Sequence, residues 1–380
     1  MRATATAKNQ KMKRLKFIVS GGGTGGHIFP AISIANALKE RYPDAEILFV
    51  GAQGKMEMER VPAAGYRILG LPVAGFDRKN LFKNISVVSK LLKSMNLAKR
   101  IVKNFAPDMA IGVGGYASGP TLRAAAAKNI PTLLQEQNSY AGVTNKLLAK
   151  NASVICVAYE GMDRFFPKEK IVLTGNPTRQ DLYVSDAKKE EAYAHFGLEP
   201  DKKTILMVGG SLGARTLNDS IVGAFDIIRD ADVQVIWQCG KYYFNEMQEL
   251  QNKGVVPGNV KLMDFVSRMD LAYSVADLII SRAGAGSISE FSLLKKPVVL
   301  VPSPNVSEDH QTQNALALVK KDAAVMITDG EAREKLFPEA LSLVGNNEKL
   351  GTLSDNIAKM AQLDSAKRIV DEIEKILFEK

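Results

Sequence analysis

The chain has 380 residues, 46% of them hydrophobic, and 50 Lys+Arg against 41 Asp+Glu for a formal net charge of +9. That length allows two domains with well-buried cores, and the absence of any apolar run as long as a bilayer span argues against a helical membrane span. Its 2 cysteines, Cys156 and Cys239, sit in separate apolar runs and read as reduced core residues of a cytoplasmic protein.

Residues 1–16 carry Arg2, Lys8, Lys11, Lys13, Arg14 and Lys16 with no acid and no apolar core, so they read as a disordered basic arm rather than a signal peptide. The run Phe17-Ile18-Val19 then ends in Ser20-Gly21-Gly22-Gly23-Thr24-Gly25-Gly26-His27-Ile28-Phe29-Pro30, and Ile32, Ile34, Ala35 and Leu38 follow at helical spacing. This order predicts strand, tight turn and helix. Glycines leave the backbone N–H groups unobstructed, and the helix start contributes about half a positive charge, so the turn suits a diphosphate. Gly21-x-Gly23-x-x-Gly26 also fits a dinucleotide fingerprint, but the second strand (Ile47 to Val50) ends in Gly51 where a ribose-binding acid would stand. A phosphate loop of the Lys-Ser/Thr kind fails as well, because His27-Ile28 occupies those positions. What remains is a titratable imidazole beside an anion site.

Strand–helix alternation continues and implies a parallel sheet with covering helices. Leu71 to Asn104 interrupts it: Arg78, Lys79, Lys83, Lys90, Lys93, Lys99, Arg100 and Lys103 interleave with Phe76, Leu81, Phe82, Ile85, Val87, Val88, Leu91 and Leu92. This is either a solvated helix face over a core stripe or a basic, apolar surface for anionic lipid headgroups. Nucleic acid is disfavoured, since no aromatic stacking platform accompanies the charges. A second glycine turn, Gly112-Val113-Gly114-Gly115-Tyr116, follows the strand Met109 to Ile111 and precedes an alanine-rich helix. Gln135-Glu136-Gln137-Asn138 ends another strand, with Glu136 either a base, a sugar-hydroxyl acceptor or a capping carboxylate.

Val172 to Pro177 is the expected crossover, with Arg179 just beyond. Thr204 to Val208 followed by Gly209-Gly210-Ser211-Leu212-Gly213-Ala214 then repeats the opening grammar, so two α/β domains should face each other across a cleft. Strand Leu278 to Ile280 leads into Ala283 to Glu290, and Pro297 to Pro302 leads to His310-Gln311-Thr312-Gln313-Asn314-Ala315. Ile369, Ile373, Ile376 and Leu377 mark a final amphipathic helix on a domain surface. Asp230-Ala231-Asp232 mimics a metal-binding acidic pair, but it precedes a strand instead of following one and reads as a surface turn.

Taken together, GGGTGGHIFP, GVGGYASGP, Glu136-Gln137-Asn138, GNPTR, GGSLGA, the Ala283–Glu290 loop and Gln311-x-x-Asn314-Ala315 resemble, in family order, the MurG family of bacterial N-acetylglucosaminyltransferases. The resemblance implies an inverting, metal-independent, cofactor-free glycosyltransferase with two Rossmann-like domains (the GT-B fold). Such an enzyme moves N-acetylglucosamine from UDP to the C4 hydroxyl of the muramyl sugar on undecaprenyl diphosphate, converting lipid I to lipid II. It implies residues 17–175 as the acceptor and membrane-side domain, 176–362 as the UDP-GlcNAc domain, and 363–380 as a helix returning to the first domain. It places the protein peripherally on the cytoplasmic face of the plasma membrane, with Phe76, Lys79, Leu81, Phe82 and Lys83 in the lipid-facing patch.

By the same resemblance, His27 is the expected base, with Glu136 in reserve. Thr24, Gly25, Gly26, Asn138, Arg179, Ser211, the Val266 backbone, Ala285, Glu290 and Gln311 are expected at the donor. Gly23, Gly114, Gly115 and Tyr116, with the Thr24–Gly26 amides, are expected at the acceptor diphosphate. Two departures stand out: Gln135 where many members have His, and Leu212 where Gln is common. The rivals are another UDP-sugar enzyme of the same fold (a glycolipid synthase or a UDP-sugar epimerase), a nicotinamide oxidoreductase disfavoured by Gly51, and a non-catalytic membrane scaffold with no use for His27 and Glu290 together. His195 and His310 carry no expected role.

Overall fold

The computed structural model describes residues 14–73, 83–178, 185–210 and 212–379. In chain order the first half forms β1 (Lys16–Ser20), α1 (Gly25–Arg41), β2 (Glu46–Ala52), α2 (Glu57–Ala63), β3 (Arg67–Leu71) and α3 (Lys83–Phe105). It continues with β4 (Met109–Gly112), α4 (Ser118–Ala126), β5 (Thr132–Glu136), α5 (Val143–Leu148), β6 (Val154–Val157) and β7 (Ile171–Leu173). The second half opens with α6 (Asp186–Phe196), β8 (Lys203–Val208), α7 (Arg215–Val222), α8 (Phe225–Arg229), β9 (Val233–Gln238), α9 (Phe244–Asn252) and β10 (Val260–Met263). It closes with α10 (Met269–Val275), β11 (Leu278–Ser281), α11 (Ala285–Leu293), β12 (Val298–Leu300), α12 (His310–Val319), β13 (Val325–Met326), α13 (Ala332–Val344), α14 (Asn347–Ala358) and α15 (Ser365–Phe378).

The strands form two sheets, β3-β2-β1-β4-β5-β6-β7 and β10-β9-β8-β11-β12-β13, and every pairing is parallel. Parallel strands are covered on both faces, so they read as unbroken apolar runs rather than alternating ones. Alternate residues then feed opposite faces: Phe17 and Val19 join one core while Ile18 joins the other, and Ile205 and Met207 separate from Leu206 in the same way. In both sheets the strand order reverses once, between β1 and β4 and between β8 and β11. Loops after neighbouring strands at a reversal run to opposite faces and leave a crevice at the carboxyl ends, which is where ligands bind in such sheets. The four glycine-bearing loops found in the sequence follow β1, β4, β8 and β11.

Helix α15 packs against the first half of the chain. Ile369, Val370 and Ile373 of α15 are buried in the same core as Phe17, Ile34 and Leu38. At the rim, Arg41 donates to Asp371 and Glu374, and Arg368 donates to the Leu173 carbonyl, tying the helix to both α1 and the last strand of the first sheet. Both cysteines are free and buried, and the Asp230–Asp232 segment lies in an exposed turn before β9. The basic arm up to residue 13 and the patch residues Phe76, Lys79, Leu81 and Phe82 lie outside the described residues, and Lys83 opens the backbone of α3.

Candidate active site

The first sheet's crevice is built by two glycine turns pressed together. Gly114 and Gly115 have φ of +93° and +83°, a region that strains any other residue. A Cβ on Gly115 would strike the Gly22 carbonyl, and one on Gly114 would lie 2.9 Å from the His27 ring. The ring therefore rests on the second glycine turn. Thr24 caps α1 in extended conformation, and its hydroxyl sits 3.2 Å from His27 Nδ1, which fixes the ring plane. His27 is half-buried, Thr24 and Gly26 are exposed, and Tyr116 stands 51% exposed at the mouth.

Withdrawal from water pushes the His27 imidazole below its ordinary value. Glu136 opposes that shift, His310 reinforces it, and Glu57 and the Gly22 backbone oppose it more weakly. The balance favours a neutral ring, the form that can accept a proton.

Glu136 is buried at the end of β5 with both oxygens engaged. Oε1 accepts from Asn138 N–H and Nδ2 (3.1 and 3.2 Å), and Oε2 accepts from Gly142 N–H and Asn145 Nδ2 (3.0 and 2.9 Å). This geometry departs from the expectation of a reserve base: the carboxyl organises the loop from 136 to 145. Asn145 was not foreseen in the sequence, and its position beside Glu136 and the Gly114 turn depends on how α5 folds back over β5.

The second half contributes a facing wall. Ala285 begins α11, and one turn on, Glu290 accepts from the Tyr273 hydroxyl at 2.8 Å. Gly213 and Gly240 cross so closely that a Cβ on either would overlap the other strand's backbone, which holds the turn after β8 in shape. Leu212 is 68% exposed. Arg179 and Ser211 lie outside the described residues.

Three of the expected residues already hold a partner within the chain. The Val266 N–H donates to Gln238 Oε1 (2.9 Å), so of its backbone pair only the carbonyl is left for a base. Gln311 Oε1 accepts from Ser303 N–H (2.8 Å), which steadies the loop before α12. The Gly23 N–H, expected on the acceptor diphosphate, is taken by Glu57 Oε2 at 3.0 Å.

The two walls meet through buried amides. Asn314 is fully buried; its Oδ1 accepts from Ser139 N–H and Oγ (2.9 and 3.2 Å), and its Nδ2 donates to Asn138 Oδ1 (3.1 Å) and the Ala283 carbonyl (3.3 Å). Asn138, expected to reach the donor, is thus the first half's side of a latch. Asn176 makes a second seam, donating to the Gln137 carbonyl and to Ser289 Oγ (both 3.0 Å). Gln135 Nε2 donates to Asn176 Oδ1 at 3.1 Å, so the residue that replaces the family's histidine works in the seam. His310, which had no expected role, lies in the cleft: it pairs with Glu308 at 3.1 Å, stacks obliquely on Tyr140 from the other half, and acts electrostatically on His27. His195 is exposed near the end of α6 against Phe196, away from all of this.

Among the described residues, no group of three or more His, Cys, Asp or Glu side chains is placed to hold a metal ion, and no helix is long and apolar enough to cross a membrane.

Comparison with known proteins assigns the family. Residues 17–157 match the glycosyltransferase family 28 N-terminal domain and residues 204–369 match the family 28 C-terminal domain. A protein of Parabacteroides distasonis named UDP-N-acetylglucosamine–N-acetylmuramyl-(pentapeptide) pyrophosphoryl-undecaprenol N-acetylglucosamine transferase is 64% identical over 370 residues, 97% of this chain and 100% of that protein. One of the same name from Phocaeicola vulgatus is 62% identical over 365 residues, covering 96% and 97%. The crystal structure of Acinetobacter baumannii MurG superposes with a TM-score of 0.77 at 28% identity, covering 95% of this chain and 99% of that one. The chain belongs to glycosyltransferase family 28 and, within it, to the MurG family of N-acetylglucosamine transferases.

Proposed function

We propose that the cleft carries out the MurG reaction with His27 as the base that receives the acceptor's proton. The enzyme is a UDP-GlcNAc glycosyltransferase of peptidoglycan precursor synthesis, converting lipid I to lipid II. In a single displacement the C4 hydroxyl oxygen of the muramyl sugar forms a bond to the anomeric carbon as the bond from that carbon to the UDP oxygen breaks. The hydroxyl proton passes to the His27 imidazole, and the electron pair of the broken bond leaves on UDP. A positioned base of this kind contributes roughly 10²–10⁴ in rate.

What supports the role of His27 is its place: it is half-buried between the two glycine turns, oriented by Thr24, neutral by burial, and turned toward the seam where the halves close. The turn after β8 and the start of α11 supply amides for the departing diphosphate, and preorganised donors of that type often form the largest catalytic contribution. Glu290 accepts from the nucleotide ribose, the Val266 carbonyl meets uracil, and Gln311 meets the donor sugar. Glu136 stays out of proton transfer, because both its oxygens are committed.

The acceptor's lipid tail leads to a membrane, and α3 offers a surface for it. Leu92 is 59% exposed between Lys90 and Lys93, and Leu91 is 36% exposed at the edge of the stripe on which Ser94, Ala98 and Val102 are buried. Exposed leucines flanked by lysines suit anionic headgroups and acyl chains at the interface. The enzyme thus docks peripherally on the cytoplasmic leaflet. The test is transfer of label from UDP-N-acetylglucosamine to a short-chain lipid-linked muramyl acceptor. Formation of the disaccharide product supports the reading, whereas UDP-sugar epimerisation without acceptor would overturn it.

A further inference from the structure

Glu57 is a buried acid that the reaction above does not use. It is 1% exposed in the first turn of α2, and among the described residues it makes no salt bridge. Burying a carboxyl without a cation is costly unless hydrogen bonds replace the lost water. Two backbone amides do so: Ala52 N–H donates to Oε1 at 2.9 Å and Gly23 N–H to Oε2 at 3.0 Å, the latter across 34 residues of chain. Two glycines clear the slot. A Cβ on Gly51 would lie 2.6 Å from Glu57 Cγ, and one on Gly22, whose φ is +145°, would overlap the carboxyl oxygens. On its other side the Gly22 carbonyl is pressed against Gly115, next to the Gly114 turn on which the His27 ring rests. An apolar side chain would fill this slot but would leave the Gly23 amide without its acceptor.

We propose that Glu57 is a positioning residue of the acceptor side: its carboxyl grips the Gly22–Gly23 turn from below and holds it in the shape that presents Thr24 and His27 to the incoming hydroxyl. The inference rests on the reading of His27 as base. It also reassigns the Gly23 amide, which serves this internal carboxyl and not the acceptor diphosphate. The same carboxyl acts on His27 through space. The groups that face the imidazole are Glu57 from α2, Glu136 from the end of β5 and His310 from the start of α12, together with the Gly22 backbone; both acids favour the protonated ring.

The test uses the full chain without ligand. Its 3 histidines, His27, His195 and His310, allow each imidazole to be followed by NMR through a pH titration. Glu57→Gln removes the charge with little change in shape, so the His27 midpoint should move down by on the order of half a pH unit. The acidic limb of kcat/KM should move with it, which loss of folding stability alone would not produce. Glu57→Asp keeps the charge but retracts it from Gly23, so it should leave the His27 midpoint close to the wild-type value while kcat falls by about tenfold or more. In the wild-type chain, where folding is not in question, the amide of the exposed Gly23 should exchange about tenfold or more slower than an unprotected amide. Free exchange at Gly23, or an unmoved His27 midpoint in Glu57→Gln, overturns the proposal. A moved midpoint with an unmoved kinetic limb supports the Glu57 contact and instead overturns the role of His27 as base.

Discussion

Asn314→Ala should uncouple the two halves without unfolding either. Asn314 accepts from Ser139 and donates to Asn138 across the seam, donates to the Ala283 carbonyl of its own half, and is fully buried. Truncation leaves the buried Ser139 N–H and the Asn138 Oδ1 at the seam short of a partner. Each buried polar group left unmet costs about 1–3 kcal/mol, so a total on the order of 3 kcal/mol is expected. That cost falls on the closed arrangement, because in an open one Ser139 and Asn138 can bond to water. At about 1.4 kcal/mol per tenfold, the closed fraction then drops by roughly 100-fold. Steady-state transfer assays should show kcat/KM down by a comparable factor, with calorimetry showing only a few degrees of change in Tm and small-angle scattering a larger radius of gyration. A kcat/KM within threefold of wild type would refute the assignment of Asn314 as the latch.

The lowered His27 value bears on both activity and stability. If His27 is the base, the free enzyme's kcat/KM should fall on the acidic side with an inflection below about pH 6.5, the unperturbed imidazole value; an inflection above that would contradict the burial effect. For stability, an imidazole whose value is lower in the folded state binds fewer protons there than when unfolded. His27 therefore costs stability as pH falls from about 6.5 toward its folded value, and Tm measured against pH should be flatter over that window in His27→Gln. On α3, Leu92→Glu with Lys93→Glu should reduce binding to anionic vesicles by tenfold or more and remove its salt dependence; unchanged sedimentation with vesicles would return the helix to an ordinary solvated face. Ile373→Ala, in the core shared by α15 and α1, should lower unfolding free energy by about 2–5 kcal/mol by denaturant titration; a loss under 1 kcal/mol would mean α15 is only loosely attached.

Much of the architecture was legible because parallel strands announce themselves. Phe17 to Val19, Leu133-Leu134 and Ile205 to Val208 are apolar without alternation, and each ends at a glycine or polar turn. The glycine motifs then mark the carboxyl ends, and His27 is visible because no competing glycine loop wants an imidazole there. What the sequence hides are contacts between residues far apart in the chain. Glu57 lies 34 residues from the amide it holds, in a stretch with no motif, and Gly51 signalled only a missing acid until the slot it opens was seen. Asn138 and Asn314 meet across 176 residues, which no spacing rule reaches. Glu136 illustrates the converse: its residue type fits catalysis, and only the four donors around it reveal that its lone pairs are taken. His310 had no expected role because its neighbours in sequence are polar loop residues, whereas its neighbours in space include Tyr140 from the other half.

The most direct measurement is turnover of His27→Ala with labelled UDP-N-acetylglucosamine and the lipid-linked muramyl acceptor, paired with calorimetric binding of the UDP-sugar. Loss of turnover by about 10²-fold or more, with UDP-sugar affinity kept within a few-fold, is the predicted result. Turnover close to wild type would contradict it.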